Sequence, residues 1–219
     1  MFLNRRSTVP GISASTFPTP PATLRFCTLC LALWQATAHA GGVVGQGTQA
    51  SCNDAALKRA LIGGGTVTFN CGASPATISL GSENRISANT VINGGNRITI
   101  NGNNAVRLFK VAQRTAFTLQ NIKLVNGKTA VQGAAIYADY GNTLKIINST
   151  FSKHVANQIG EAGGGAIYSS NGTLDVGNSV FSDNRGSIGG AIRVLNSNLS
   201  VISSTFTGNK AVDRVRGIV

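Results

Sequence analysis

The sequence predicts an all-β fold, a solenoid of stacked parallel strands whose N-terminal end is covered by one α-helix. The first observation is a repeat: LKIINSTF at 144–151, LDVGNSVF at 174–181 and LSVISSTF at 199–206 align without a gap. FTLQN at 117–121 and Val91-Ile92-Asn93 fit more loosely, so a central apolar position recurs at 91, 119, 146, 176 and 201, spaced by 28, 27, 30 and 25 residues. The second is alternation. Apolar and polar residues take turns within each unit, the two-residue period of a half-buried strand. The third is the Asn- and Gly-rich sequence after each strand, such as Ser182-Asp183-Asn184-Arg185-Gly186, which supplies turn positions of positive φ. Short strands at this period describe coils in which each strand pairs with its counterpart one turn above and below. A β-sandwich is the rival, but hairpin-connected strands do not require a repeat that realigns side chain for side chain. At about 4.8 Å per coil, five or six coils make a column of roughly 25 to 30 Å.

Taken in order, residues 1–40 read as a secretory leader. Arg5, Arg6 and Arg25 occur without an acid and precede an apolar stretch of nine residues, 26–34. A bilayer-spanning helix needs about 20 such residues. Ala38-His39-Ala40 then provides a small-x-small site for cleavage before Gly41. A lipid anchor fits less well, because neither Cys27 nor Cys30 follows the small residues such a cysteine needs. Of 19 basic and 7 acidic residues the leader holds three basic ones, so the remaining 179 residues carry 16 against 7, a net charge of +9. The mature chain is expected to contain no transmembrane span. A hydrophobic fraction of 42% and a charged fraction of 12% exclude intrinsic disorder, and 27 Gly without a three-residue period exclude collagen.

Two cysteines remain, Cys52 and Cys71. In an exported chain such a pair reads as one structural disulfide, closing a loop of about 20 residues and worth roughly 3 kcal/mol. Zinc would require more ligands, and the only mature His is His154, so no metal and no cofactor are expected. The one helical pattern lies at 53–62, with Asn53 or Asp54 as N-cap, Leu57, Leu61 and the alanines on one face, and Gly63-Gly64-Gly65 as the stop. A solenoid end exposes apolar core and unpaired strand edges, and this helix would cover them. The bridge would pin it to a first strand at 66–69, and coils are expected over about 64–212. Phe151, Phe181 and Phe206 would stack on an inward face. Ile167 to Phe181 and Ile192 to Phe206 are both 14 residues apart, so the register inside a coil is constant while its loops vary.

The paired signatures G-G-A-I and F-x-x-N resemble the repeats of polymorphic outer membrane proteins. They stand here as Gly164-Gly165-Ala166-Ile167 with Phe181 and Asn184, and as Gly189-Gly190-Ala191-Ile192 with Phe206 and Asn209. An upstream unit departs from the pattern: Gly133-Ala134-Ala135-Ile136 replaces the double glycine, and Phe151-Ser152-Lys153-His154 lacks the Asn. The resemblance covers about 133–209, and the helix followed by GGGTVTF looks like the cap of pectate-lyase-like β-helices. It implies a right-handed parallel β-helix, exported in a bacterium and either displayed at the outer membrane or secreted, with a structural or adhesive role toward a host or neighbouring cell surface. In that family a C-terminal β-barrel follows the helix. Val219 comes about ten residues after the last F-x-x-N without alternating membrane strands, so the expectation is a released protein or a fragment whose further coils are missing.

The same fold also carries carbohydrate-active enzymes, so chemistry has to be sought in particular residues. A glycosidase requires two carboxylates about 5 to 10 Å apart, hence acids at matching repeat positions. Asp54, Glu83, Asp139, Glu161, Asp175, Asp183 and Asp213 show no such match, and no catalytic residue is expected. For a lyase or hydrolase acting on an acidic polysaccharide the only candidates are Asp183 with Arg185 or Arg193. His154 lacks a nucleophile partner and falls where a sister coil has Asn184, so it reads as a loop residue. Lys123, Lys145, Lys153, Arg185 and Arg193 occupy outward or turn positions, where a basic stripe could meet anionic glycans. Nucleic acid is not expected, because export separates the chain from it and exposed aromatics do not interleave with the bases.

Overall fold

A computed structural model describes residues 41–157 and 163–212. The leader and its cleavage site, Glu161 and Asp213 lie outside the described residues. The protein is a parallel β-solenoid of about six coils. Each full coil runs through four strand positions, here called faces 1 to 4. Face 1 stacks Gly65–Phe69, the first halves of Thr90–Asn101 and Ala116–Val125, then Thr143–Ile147, Thr173–Gly177 and Asn198–Ile202. Face 2 stacks Ala76–Ser79, the second halves of the two long strands, Thr150–Ser152, Val180–Ser182 and Thr205–Thr207. Face 3 holds Lys128–Thr129, Val155–Ala156, Arg185–Gly186 and Lys210–Ala211, and face 4 holds Asn84–Ile86, Phe109–Val111, Ile136–Asp139, Ile167–Ser170 and Ile192–Leu195. All pairs are parallel, as expected when a strand's neighbour is its own counterpart one coil away.

The core is the stack of inward side chains. On face 2, Ile78, Ile100, Leu124, Phe151, Phe181 and Phe206 are in register. The rings of Phe151 and Phe181, and of Phe181 and Phe206, lie 4.8 Å apart and within 9° of parallel, the rung spacing of the backbone itself. One register expectation is corrected. The residue under Leu119 is Ile92, with Val91 under Thr118, and Ile92 is fully buried. The core row is therefore Val67, Ile92, Leu119, Ile146, Val176 and Val201. A slip of one residue turns a strand inside out, and the loose match at 91–93 left that slip open.

The N-terminal end is closed as expected. The helix Asp54–Ala60 is shorter than the 53–62 pattern, and Asn53 caps it by accepting from the Ala56 amide. Ala56, Leu57, Ala60 and Leu61 are buried against the first coil. Cys52 and Cys71 are bonded. The strand Val43–Val44, absent from the expectation, pairs with Thr68 and Phe69 and so extends face 1 beneath the first coil.

The two sequence signatures have separate structural causes. In G-G-A-I, Gly164 has φ +98°, and a Cβ at Gly165 would run into the carbonyl of Gly190 one coil away. Ala166 and Ile167 then enter the core. In F-x-x-N, the Asn fills a buried corner between faces 2 and 3. Asn184 Oδ1 accepts from the His154 amide at 3.0 Å while its Nδ2 donates to the Phe151 carbonyl at 3.0 Å. Asn209 repeats both bonds, to the Asn184 amide and the Phe181 carbonyl.

His154 is the same device in another residue, which corrects its reading as a simple loop residue. It is fully buried; Nδ1 accepts from the Gly127 amide at 2.9 Å, which leaves the proton on Nε2 to meet the Leu124 carbonyl at 3.0 Å. Burial pushes its pKa down to about 3, against a small opposing effect of the Leu124 carbonyl.

Two predictions follow from this packing. Because the unfolded chain takes up the His154 proton below about 6.5 and the folded chain does not, stability is complete above that pH. It falls by about 1.4 kcal/mol per pH unit on acidification toward pH 4. His154→Asn should keep the fold and remove that share of the slope, measured by denaturant unfolding at pH 7, 5.5 and 4.5. Phe181→Ala should cost about 3 to 5 kcal/mol, whereas Phe206→Ala, at a half-exposed site in the last described coil, should cost less than half as much in the same assay.

Candidate functional site

Once the register is known, outward side chains can be read as rows along the solenoid axis. The five cations expected to form one stripe do not share a row. Lys123 stands on face 2 opposite Thr99 and Thr150, and Lys145 on face 1 opposite Asp175. Lys153 sits at the corner after face 2, one coil from Asp183. Arg185 is on face 3 and Arg193 on face 4. The enzyme candidates Asp183, Arg185 and Arg193 likewise fall on a corner, face 3 and face 4 of one coil. They form no shared row.

The row that does concentrate chemistry is on face 4: Arg85, Lys110, Tyr137, Tyr168 and Arg193 on five consecutive coils. Each follows an inward residue, or lies between two, so strand alternation sends it outward. The Tyr137 and Tyr168 rings stack at 5.5 Å and 10°. Lys110 Nζ lies 5.8 Å and the Arg107 guanidinium carbon 5.0 Å from the Tyr137 ring centroid. Arg114 makes the same kind of contact, at 6.0 Å, with Tyr140. The basic end of the face is thus built from cations that rest on tyrosines of the next coil.

Arg107 positions this end. Its side chain is nine-tenths buried; Nη1 meets Glu83 at 2.7 Å, Nε donates to the Gly133 carbonyl at 3.0 Å, and Nη2 donates to the Gln132 carbonyl at 3.0 Å and to Thr129. One planar fork therefore joins three consecutive coils. Beside it a groove of about 380 Å³ is lined by Arg85, Lys110, Gln113, Tyr137 and Asp139, with Val111 and Ala112. The Tyr137 hydroxyl donates to Asp139 Oδ2 at 3.2 Å, and the Ser170 hydroxyl donates to Oδ1. Burial first, then the adjacent Asp139 carboxylate, raises the Tyr137 pKa above its usual value, so the phenol remains a donor at neutral pH.

Chemically the groove offers two cations, one amide, one phenol and one carboxylate. That set suits a ligand carrying carboxylates and hydroxyls, since the cations neutralise the former and the other groups bond the latter. Among the described residues no group of three His, Cys, Asp or Glu could hold a metal ion, and no helix is long and apolar enough to cross a membrane. Repeat alignment could have found these residues. F-K-V at 109–111, I-Y-A at 136–138, I-Y-S at 167–169 and I-R-V at 192–194 share a pattern, but its outward position varies between Lys, Tyr and Arg and so leaves no motif.

Removing Arg107 should loosen the face as a unit. Arg107→Ala is expected to cost about 2 kcal/mol, chiefly from leaving the Gly133 and Gln132 carbonyls without their donor, and Arg107→Lys should recover little of it, because an ammonium cannot reproduce the fork. Equilibrium unfolding of the two variants checks this. In comparisons with family models, curated proteins and solved structures, nothing matches the chain.

Proposed function

We propose that this chain is an exported bacterial β-solenoid, surface-displayed or secreted, that acts as a structural and adhesive module and holds an anionic glycan on face 4. The carrying observation is that Arg85 and Lys110 stand in register on consecutive coils at one groove, with Gln113, the Tyr137 hydroxyl and Asp139 as hydrogen-bonding groups. The net charge of +9 after the leader favours an anionic partner through long-range attraction. Export is supported by the leader pattern and by the Cys52–Cys71 bridge, which persists in oxidising compartments. The G-G-A-I and F-x-x-N repeats support placement near the polymorphic outer membrane proteins, whose passengers are surface β-helices.

One observation favours a second role, a carbohydrate-active enzyme acting on an acidic polysaccharide. The Tyr137 phenol and the Asp139 carboxylate are proton-transfer groups beside two cations that would neutralise a sugar carboxylate. A hydrolase with two carboxylates is disfavoured, because among the described residues Asp139 is the only acid lining the groove. Incubation with pectin, alginate and other polyuronates, followed by absorbance of unsaturated ends and by reducing sugar, distinguishes the roles. Sustained turnover that Tyr137→Phe abolishes would establish the enzyme.

For the binding role, the native protein should be retained on immobilised polygalacturonate at physiological salt. Arg85→Ser with Lys110→Ser should elute at clearly lower salt, while Lys145→Ser should elute as the native protein does. Elution of the native protein with the void volume would sink the proposal.

A further inference from the structure

The groove on face 4 is not uniformly basic. Arg85 and Lys110 line it from the first two coils, whereas Asp139 lines it from the third. Asp139 lies two residues along the strand from Tyr137, which continues the Arg85 and Lys110 row, and it follows the inward Ala138, so it too projects outward. One rung and two residues of strand put the backbone positions of Lys110 and Asp139 about 8 Å apart.

Among the described residues Asp139 forms no ion pair; the two that occur are Lys58 with Asp54 and Arg107 with Glu83. Its oxygens accept from two neutral hydroxyls, Tyr137 on Oδ2 and the buried Ser170 on Oδ1. A carboxylate offers about four acceptor positions, so about half of them stay open. The neighbours along the axis supply no cation. Ser170 is in register on the fourth coil, and on the second coil Ala112 follows Val111 as Asp139 follows Ala138. Lys110 is directed at the Tyr137 ring instead.

We infer that the glycan unit held in this groove is zwitterionic, with a sugar carboxylate at Arg85 and Lys110 and a free, protonated sugar amine at Asp139. This rests on the glycan-binding role proposed above and adds a second ligand charge, of opposite sign, at a fixed place. An ammonium supplies what Asp139 lacks, a charged donor, and such hydrogen bonds are about twice as strong as neutral ones. A ligand hydroxyl would add a third neutral donor and leave the charge unpaired. A peptide with acidic and basic side chains fits less well. Phe109–Val111 and Ile136–Asp139 are each paired on both sides, so no strand edge is open to a peptide backbone.

The test uses the full chain and a matched pair of disaccharides, glucuronate linked to glucosamine with the amine free or N-acetylated, with affinities read by NMR titration. The free amine should bind about ten-fold tighter. Asp139→Asn should remove that difference and leave the N-acetylated disaccharide bound as before, with the unfolding midpoint checking that the variant is folded. Arg85→Ser with Lys110→Ser should weaken both disaccharides alike. Equal affinities in the native protein would overturn the zwitterion and leave the anionic role standing, as would absence of binding to either disaccharide beside retention on polygalacturonate. Loss of that retention as well would overturn both. A preference that survives Asp139→Asn would overturn Asp139 as the partner of the amine. Tighter binding of the dipeptide Glu-Lys than of the free-amine disaccharide would overturn the sugar in favour of a peptide.

Discussion

Everything in this molecule depends on in-register parallel stacking. A coil cannot bury its own apolar row, because its backbone groups and the faces of its side chains are completed only by the coils above and below. Each inward position must therefore present a shape that its two neighbours accept at about 4.8 Å. Flat rings meet the demand on face 2, where three phenylalanines lie nearly parallel, and aliphatic side chains meet it in the earlier coils.

The corners are harder, because a turn leaves backbone amides and carbonyls inside a dry column, where an unpaired polar group is costly. Asn184, Asn209 and His154 resolve this with one geometry: an acceptor toward the amide of the preceding coil and a donor toward a carbonyl at its phenylalanine or leucine. A serine row supplies the corner between faces 1 and 2, with Ser179 Oγ accepting from the Ser149 amide and Ser204 Oγ from the Ser179 amide. The histidine can replace asparagine only while neutral. Burial holds it so, and the fold thereby acquires a sensitivity to acid that an all-asparagine ladder would lack.

The same register that organises the core decides what the surface can bind. Outward residues that look scattered along the chain become rows, in which like charges can fall on neighbouring coils. Lys145 opposite Asp175 is locally balanced, whereas Arg85 beside Lys110, and Arg185 beside Lys210, are not. The second kind of pairing is what the proposed anionic glycan would neutralise.

The sequence by itself determined the solenoid, its period and the phenylalanine stack, which follow from alternation and a strict repeat, the capping helix, which follows from a local cap, apolar face and glycine stop, and the disulfide, which follows from a single pair of cysteines after the leader. It did not determine the coil-to-coil register where the repeat weakens, and there the repeat points to Val91 although Ile92 is the residue that lies under Leu119. Nor did it distinguish a buried histidine from a loop one, because the distinction lies in the Gly127 amide and the Leu124 carbonyl, 27 and 30 residues away. The candidate site was the least legible part. Arg85, Lys110 and Tyr137 are separated by 25 and 27 residues and belong to no motif, since outward positions need only be tolerated by solvent and are free to differ from coil to coil. Only the tertiary structure, by setting which residue lies over which, decided that these three share a groove while Asp183, Arg185 and Arg193 do not.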